Sequence, residues 1–169
     1  MPHEPFTHLG LTFRVDHYYL KRPRIVQKIV FENRTFYAKF ERIDEPPNAL
    51  VSRQHLNGEY TVALPLTSQG TIDYLVFEYK GEAAFRFAAF MRHFLPQRGY
   101  KTLHIFQRKQ KNKVQIFIEI DPVDLDTAHR RLQALGKEID TLFGKGWKAL
   151  PSAELPEDYN IVTLPYERC

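Results

Sequence analysis

The order of apolar patterns in the second half of the chain constrains the fold more than any other feature. Three stretches there have the β-branched and aromatic content or the strict alternation of strands, and two carry apolar residues at helical spacing. A final strand is expected near the C-terminus. In chain order these stretches are 72–79, 82–97, 101–107, 113–120, 125–143 and about 159–164. This β-α-β-β-α-β order favours an α+β fold with a ferredoxin-like sheet, covered by two helices on one face.

The alternation within 113–120 predicts which side chains share a face of that sheet. The even-numbered residues from Val114 to Ile120 are apolar and should face the helices. His104 and Phe106 should lie on the opposite face, which requires His104 to pair with an odd-numbered residue such as Gln115 or Phe117. A one-residue slip would move every side chain to the other face.

Turn and capping residues predict where the helices begin and end. Asp121 suits an N-cap and Pro122 the first helical position, so the second helix should start there and end at Gly144. Gly136, inside this helix, lowers helix propensity and indicates close packing. Gly99 stands where the residue after a helix C-cap would be.

The first half of the chain looks rich in strands. Stretches 25–31 and 35–43 flank a plausible hairpin turn at Asn33-Arg34, and 59–66 reads as another strand. We expect an N-terminal strand-rich subdomain at residues 1–70 and the ferredoxin-like subdomain at 71–169, together one compact domain. The N-terminal layer should cover the open sheet face, because Phe106 and Phe117 would otherwise be exposed, and leave a cleft between the two.

Composition excludes several classes of protein. The 169 residues are 43% hydrophobic and 26% charged, which excludes disorder, collagen and a coiled coil. The only cysteine is Cys169, so an internal disulfide or a cysteine-based zinc site is impossible. No apolar run reaches the roughly 18 residues of a membrane span, and the N-terminus lacks the pattern of a signal peptide. These features predict a cytoplasmic protein without a membrane partner.

One group of side chains suggests a divalent-metal site. Glu119 and Asp121 lie two residues apart on a strand and therefore share a face, and His104 is expected beside them on the neighbouring strand. Oxygen ligands of this kind hold Mg²⁺ or Mn²⁺ in phosphoryl-transfer sites. The alternative is structural: Asp121 caps a helix, Glu119 is polar on a wet face, and His104 fills space between aromatic rings.

Positive charge is concentrated in two places, consistent with a net charge of +4. Residues 98–113 hold six Lys and Arg and no acid, and 21–24 form a second basic run beside aromatic residues. Cations beside aromatic rings suit nucleic acid, with phosphates on the cations and bases on the rings. The alternative is a solvated surface. The predicted contacts are Lys21, Arg22, Arg24, Arg108, Lys109, Lys111, Lys113, Tyr18, Tyr19, Phe106 and Phe117.

A third group surrounds the turn Asn57-Gly58. His55 and Glu59 flank this turn and could approach one another as a metal or acid–base pair. The alternative is a turn with incidental polar neighbours. Ser52 and Ser68 have no evident His and Asp partners, and the chain contains no glycine-rich phosphate loop or zinc-finger spacing.

Three stretches carry a resemblance to a known family. They are His17 to Arg22, Arg34 to Glu41 and Gly58 to Thr61. They resemble a family of small uncharacterised proteins from epsilonproteobacteria, a domain of unknown function. The resemblance implies a fold similar to the catalytic domain of archaeo-eukaryotic primase-polymerases, with nucleotide and metal in a cleft between two subdomains. The catalytic order differs, because those enzymes place a histidine after the acidic pair and His104 precedes Glu119 and Asp121.

These observations favour a non-enzymatic protein that binds single-stranded nucleic acid or a nucleotide, with no residue assigned to catalysis. The first alternative is a nucleotidyltransferase that depends on a divalent metal and uses Glu119, Asp121 and His104. The second is a protein-interaction module whose aromatic surface pairs with a partner or with a second copy.

Overall fold

A computed structural model describes residues 4–169, which form two compact units. The first unit holds the described residues up to Ser68 together with Ala153–Leu164. The second holds Gln69–Ser152 and Pro165–Cys169. None of the helices in residues 4–169 is both long and apolar enough to cross a membrane.

The elements confirm a mixed α+β protein with antiparallel sheets. The helices are α1 (Ala49–Leu56), α2 (Ala84–Gln97) and α3 (Leu125–Leu142). The strands are β1 (Phe6–His8), β2 (Leu11–Phe13), β3 (Tyr18–Lys21), β4 (Gln27–Phe31), β5 (Arg34–Ala38), β6 (Phe40–Ile43), β7 (Val62–Pro65), β8 (Thr67–Ser68), β9 (Thr71–Lys80), β10 (Leu103–Arg108), β11 (Lys113–Val123), β12 (Trp147–Leu150) and β13 (Ile161–Thr163).

The first unit contains a four-stranded sheet in the order β13-β7-β3-β6 and two separate hairpins, β1–β2 and β4–β5. The predicted hairpin around Asn33 is confirmed. Its two loop residues, Glu32 and Asn33, both have positive φ, at 47° and 65°. Such a loop matches the right-handed twist of the flanking strands. The predicted strand 35–43 divides after Ala38, because β5 pairs with β4 whereas β6 pairs with β3.

Helix α1 was not expected from the sequence. Asn48 caps it, since its side chain accepts hydrogen bonds from the backbone N–H groups of Leu50 and Val51. The helix is short, and its inner side buries Val51 and His55. With only eight residues, it has too few apolar positions to show a helical period.

The second unit contains the sheet β10-β11-β9-β12, in which all neighbours are antiparallel. Helix α2 packs against β11 and β9, and α3 packs against β9 and β12. The predicted register is confirmed, because His104 lies opposite Phe117. Val114, Ile116 and Ile118 are fully buried, as expected of the row that faces the helices.

The prediction for the last strand of this sheet is wrong. The fourth strand is β12, between the predicted helix 125–143 and the predicted strand 159–164, whereas β13 pairs with β7 in the first unit. Trp147 anchors β12 to α3: its indole N–H donates to Asp140 Oδ1 and to the carbonyl of Gly144, each at 3.1 Å. A Cβ at Gly136 would lie 2.6 Å from the Trp147 ring, so the close packing predicted at that glycine is confirmed.

The predicted start of the last helix is also wrong. Asp124 caps α3, accepting a hydrogen bond from Thr127 N at 2.8 Å. Hydrogen bonds from the Thr127 side chain and then its backbone hold the Asp124 pKa below its usual value. Asp121 and Pro122 belong instead to the end of β11, within an irregularity in its pairing with β9 that lies between Glu119 and Val123. Strand β10 pairs with β11 only up to Ile118, so Pro122 lies where a missing N–H breaks no ladder bond to β10.

Candidate functional site

The tip of the β10–β11 hairpin presents positive charge to solvent. The two strands are joined by a single 3₁₀ turn, Lys109–Lys111, followed by Asn112 in the left-handed conformation with φ of 48°. Asparagine adopts this conformation more readily than most residues, so the tight turn is local in origin. Lys109 and Lys111 are consequently both exposed.

A row of cations runs across the sheet directly behind this tip. Arg108 pairs with Lys113 in β11, and Lys113 pairs with Lys80 in β9. Residues directly opposite each other share a sheet face with Cβ atoms about 5 Å apart, and like charges in such positions are unfavourable. We call this row and the two tip lysines the basic end: Lys80, Arg108, Lys109, Lys111 and Lys113.

Neighbouring side chains compensate only part of this charge. Glu78 lies 3.8 Å from the Lys113 ammonium and accepts a hydrogen bond from Gln115 at 2.7 Å. The Arg108 guanidinium lies 4.0 Å from the centre of the Tyr166 ring. Among residues 4–169, no carboxylate forms an ion pair with the three exposed lysines of the basic end, Lys80, Lys109 and Lys111.

The sequence singled out four of these five cations. It missed Lys80, which is distant along the chain and comes beside Lys113 only through the pairing of β9 with β11. A signal was present in principle, since Lys80 directly follows the predicted strand 72–79 and precedes Gly81. The register that makes it part of the row is a property of the sheet.

Three of the four predicted stacking rings are buried. Tyr19, Phe106 and Phe117 are at most 1% exposed. Phe106 and Phe117 pack edge to face with ring centres 5.7 Å apart, and the Arg168 guanidinium covers Phe106 at 5.0 Å. A base cannot stack on these rings in this conformation, and we leave them out of the candidate surface. Tyr18 is half-buried.

The N-terminal basic run lies in the first unit. Lys21 and Arg24 are exposed, whereas Arg22 is paired with Glu41 through its Nε at 3.2 Å. The run directly precedes β4 and therefore leads into the β4–β5 hairpin. The structure thus divides the predicted cations between two units, with Lys21, Arg22 and Arg24 in one and the basic end in the other.

His104 and Glu119 do come together, as the sequence predicted. His104 Nε2 lies 3.0 Å from Glu119 Oε2, and Arg168 Nη2 lies 3.0 Å from His104 Nδ1. Since arginine can only donate, His104 Nδ1 accepts and its Nε2–H donates to the carboxylate. Both ring nitrogens are therefore occupied by protein partners. Across residues 4–169, no group of three or more His, Cys, Asp or Glu side chains, Asp121 included, is arranged to hold a metal ion.

His55 has a structural role within the first unit. It is fully buried, its Nε2 lies 2.8 Å from the carbonyl of Leu164, and its Nδ1 accepts from Val62 N at 3.0 Å. One nitrogen donating and the other accepting fixes the neutral form of the imidazole. His55 thereby joins α1 to β7 and to the chain that follows β13, while Glu59 is exposed.

Two further contacts in the first unit were not evident from the sequence. Ser52 Oγ lies 2.7 Å from Nδ1 of the buried His8. The Tyr19 hydroxyl donates a hydrogen bond to Asp158 Oδ1 at 2.6 Å. Burial, together with this hydrogen bond, raises the pKa of Tyr19. Both contacts join residues far apart in the sequence, which local patterns do not reveal.

Comparison with protein families places part of this chain. Residues 10–72 match DUF1882, a domain of unknown function. The match covers β2 to β8 and includes all three stretches that carried the resemblance. It ends near the start of β9, so the basic end lies outside it. A comparison with curated proteins finds no match.

Proposed function

We propose that this protein binds nucleic acid and that the basic end of the second unit contacts the phosphate backbone. The cross-strand row of Arg108, Lys113 and Lys80 carries the proposal. Side by side, these cations repel one another, and a bound polyanion would relieve that repulsion. The two tip lysines extend the same charge beyond the edge of the sheet.

The spacing of the basic end suits a charged backbone more than a single small anion. The row spans three adjacent strands, which lie about 4.8 Å apart, so its charges are spread over roughly 10 Å. Phosphates of a nucleic acid repeat on a comparable scale, and each one neutralised releases condensed counterions. Binding of this kind depends on charge and is largely independent of base sequence.

Binding without catalysis is the form of the proposal that the side chains support. His104 is held between Glu119 and Arg168, and each of its nitrogens already has a partner. A ferredoxin-like assignment for 71–150 is supported by the order β10-β11-β9-β12, in which the first and third strands of the unit are central. The relation to primase-polymerases stays a prediction from the resemblance.

Fluorescence anisotropy with labelled oligonucleotides tests the proposal. We expect affinity to fall steeply as salt rises from about 50 to about 200 mM, and the double variant Lys109→Gln/Lys111→Gln to bind more weakly with a shallower salt dependence. The matched control is Arg131→Gln/Lys137→Gln, which removes the same charge from exposed positions of α3. Equal losses in the two double variants, or no binding by the wild-type protein at the lower salt concentration, would overturn the proposal.

A further inference from the structure

The β4–β5 hairpin exposes one entire face of its two strands. Lys28 pairs with Tyr37 and Val30 with Thr35, and side chains of directly opposed residues share a face. Val30 is 71% exposed and Tyr37 56%. Lys39 is exposed and directly follows β5, where the chain passes into β6. We call this surface, together with Lys39, the ribbon face: Lys28, Val30, Thr35, Tyr37 and Lys39.

The opposite face of the hairpin is fixed to the first unit. Phe36 and Ala38 are buried, and Phe36 packs edge to face on Tyr159 with ring centres 4.7 Å apart. The Tyr159 hydroxyl also donates to the backbone carbonyl of Tyr37 at 2.8 Å. Tyr37 is therefore held by its backbone while its ring extends into solvent. An anchored backbone that carries an exposed ring is a preformed platform for stacking.

The charge around the ribbon face is positive. Lys28 lies on the paired strands of the face, Lys39 directly follows β5, and the exposed Lys21 and Arg24 precede β4. Glu32, in the loop of the hairpin, is the only acidic residue between positions 21 and 40. The exposed valine and tyrosine of this surface thus lie in a segment of the chain that is rich in cations, with Lys28 directly opposite Tyr37.

We infer that the ribbon face binds single-stranded nucleic acid. Tyr37 stacks on an unpaired base, Val30 contacts the base or sugar beside it, and Lys28 and Lys39 contact the flanking phosphates. The strand is single because the faces of paired bases are covered by their neighbours, whereas an unpaired base offers its ring. The inference rests on the proposed function and adds a second contact surface, in the unit that matches the family.

The chemistry of the ribbon face favours nucleic acid over a protein partner. Lysine is depleted at protein–protein interfaces, where burial of an unpaired ammonium is unfavourable. On the ribbon face Lys28 lies directly opposite the exposed tyrosine. A cation beside an accessible ring is complementary to a nucleotide, because the cation can contact the phosphate while the ring stacks on the base.

Photocrosslinking locates the contact directly. The probe is an oligothymidylate of about 20 nucleotides carrying one 5-iododeoxyuridine, a size that covers one or two binding sites of this kind. After irradiation, mass spectrometry should find the crosslink in the peptide that contains Tyr37. Crosslinks found only in other peptides, with binding intact, would overturn this inference and leave the proposed function standing. Absence of binding by the wild-type protein would overturn both.

Affinity measurements test the role of each side chain. Tyr37→Ala should weaken binding of the oligothymidylate about tenfold, and Tyr37→Phe should restore it, since stacking needs the ring and not the hydroxyl. Tyr60→Ala, at a position 38% exposed in the same unit, is the matched control and should change nothing. Lys28→Gln/Lys39→Gln should reduce the salt slope by about 0.7 for each lysine.

Duplex DNA separates the two surfaces. Tyr37→Ala should leave duplex binding unchanged, whereas Lys109→Gln/Lys111→Gln should weaken binding of both probes. Equal effects of Tyr37→Ala on duplex and single strand would show that the ring does not read unpaired bases. An unchanged affinity of Tyr37→Ala for the single strand would also contradict the inference. Binding of an acidic protein in place of oligonucleotide would identify the ribbon face as a protein-interaction surface.

Discussion

Two hairpins of this protein carry exposed positive charge, and they differ in how far the faces of their strands are buried. The β10–β11 hairpin is part of the larger sheet β10-β11-β9-β12, and the side chains in its centre are buried on both faces, as Ile116 and Phe117 show. The β4–β5 hairpin is a separate two-stranded ribbon with one buried face and one open face. Charge is therefore confined to the end of the first hairpin and spread along the second.

The difference shows why the two surfaces suit different contacts. The hairpin tip at the end of that sheet is exposed, and the residues there are long cations, which suit the phosphate contacts of the proposed function. An open ribbon face can also expose a ring such as Tyr37, which a base requires for stacking. Each hairpin contacts a tyrosine that follows β12 in the chain. The Arg108 guanidinium lies over the Tyr166 ring, and Phe36 packs edge to face on Tyr159.

The largest expected effect tests the contrast in burial. Phe117→Ala removes a fully buried ring that contacts Tyr74 and Phe106, and we expect a loss of about 3–5 kcal/mol in the free energy of unfolding. Val30→Ala on the ribbon face should change it by no more than about 0.5 kcal/mol. Urea unfolding followed by circular dichroism measures both. A comparable loss in the two variants would show that the ribbon face is covered in solution.

The second prediction concerns the tyrosine anchors. Tyr159→Ala removes the ring that packs on Phe36 and the hydrogen bond to Tyr37, so it should destabilise the protein by about 1–3 kcal/mol. Amide hydrogen exchange should become faster in 27–38 and stay unchanged in 103–118. Tyr166→Ala removes a cation–π contact with Arg108, and the loss of that contact should cost less than about 1 kcal/mol. Faster exchange throughout both hairpins in either variant would contradict separate anchoring.

The third prediction uses pH to weaken the hydrogen bond between Tyr19 and Asp158. Asp158, next to Tyr159, accepts this bond from the Tyr19 hydroxyl, and Tyr19→Phe should lower the free energy of unfolding by about 1–3 kcal/mol at neutral pH. The Tyr19 pKa is higher in the folded than in the unfolded protein, so its contribution is full below the unfolded tyrosine pKa of about 10 and declines above it.

Urea unfolding between pH 7 and about pH 11 checks the sign, because tyrosine ionises near the upper end of this range. The difference between wild type and Tyr19→Phe should be constant up to about pH 9.5 and shrink at higher pH. A difference that grows with pH would mean that Tyr19 is not the donor to Asp158.

The smallest expected effects come from the turns. Glu32 adopts a positive φ of 47°, which asparagine tolerates better, so Glu32→Asn should stabilise the protein by about 0.5 kcal/mol. At the other hairpin, Asn112→Ala should destabilise it by about 1 kcal/mol, because Asn112 has a φ of 48°. Thermal unfolding should give a higher Tm for Glu32→Asn and a lower Tm for Asn112→Ala than for the wild-type protein. Destabilisation by Glu32→Asn would indicate that the glutamate side chain makes a needed contact.

Sequence patterns predicted most of the second unit because its signals are local. Strict alternation in β11 predicted which residues share a face. The need to bury one apolar row predicted that His104 pairs with an odd-numbered residue such as Gln115 or Phe117, and the partner is Phe117. Gly136 and Gly99 were correctly interpreted, because a glycine at a close approach or after a helix C-cap has a steric reason to be there.

The wrong predictions arose where a local sequence pattern conflicted with contacts between residues far apart in the chain. Asp121-Pro122 has the composition of a helix start, yet the chain stays in β11 and Asp124 takes the cap. Residues 159–164 look like a strand and do contain one, β13, but its partner is β7. Local pattern indicates a strand but carries no information about which strand it pairs with.

The sequence by itself determined the element types from β9 to α3, the faces of the central strands and the presence of a basic hairpin. These depend on periodicity and turn chemistry, which act over a few residues. Only the tertiary structure decided that Tyr19, Phe106 and Phe117 are buried, that Lys80 completes a row of cations, and that Tyr37 is exposed on an anchored ribbon. Burial and cross-strand pairing join residues far apart in the chain, so they follow from the packing of whole elements and not from any single stretch.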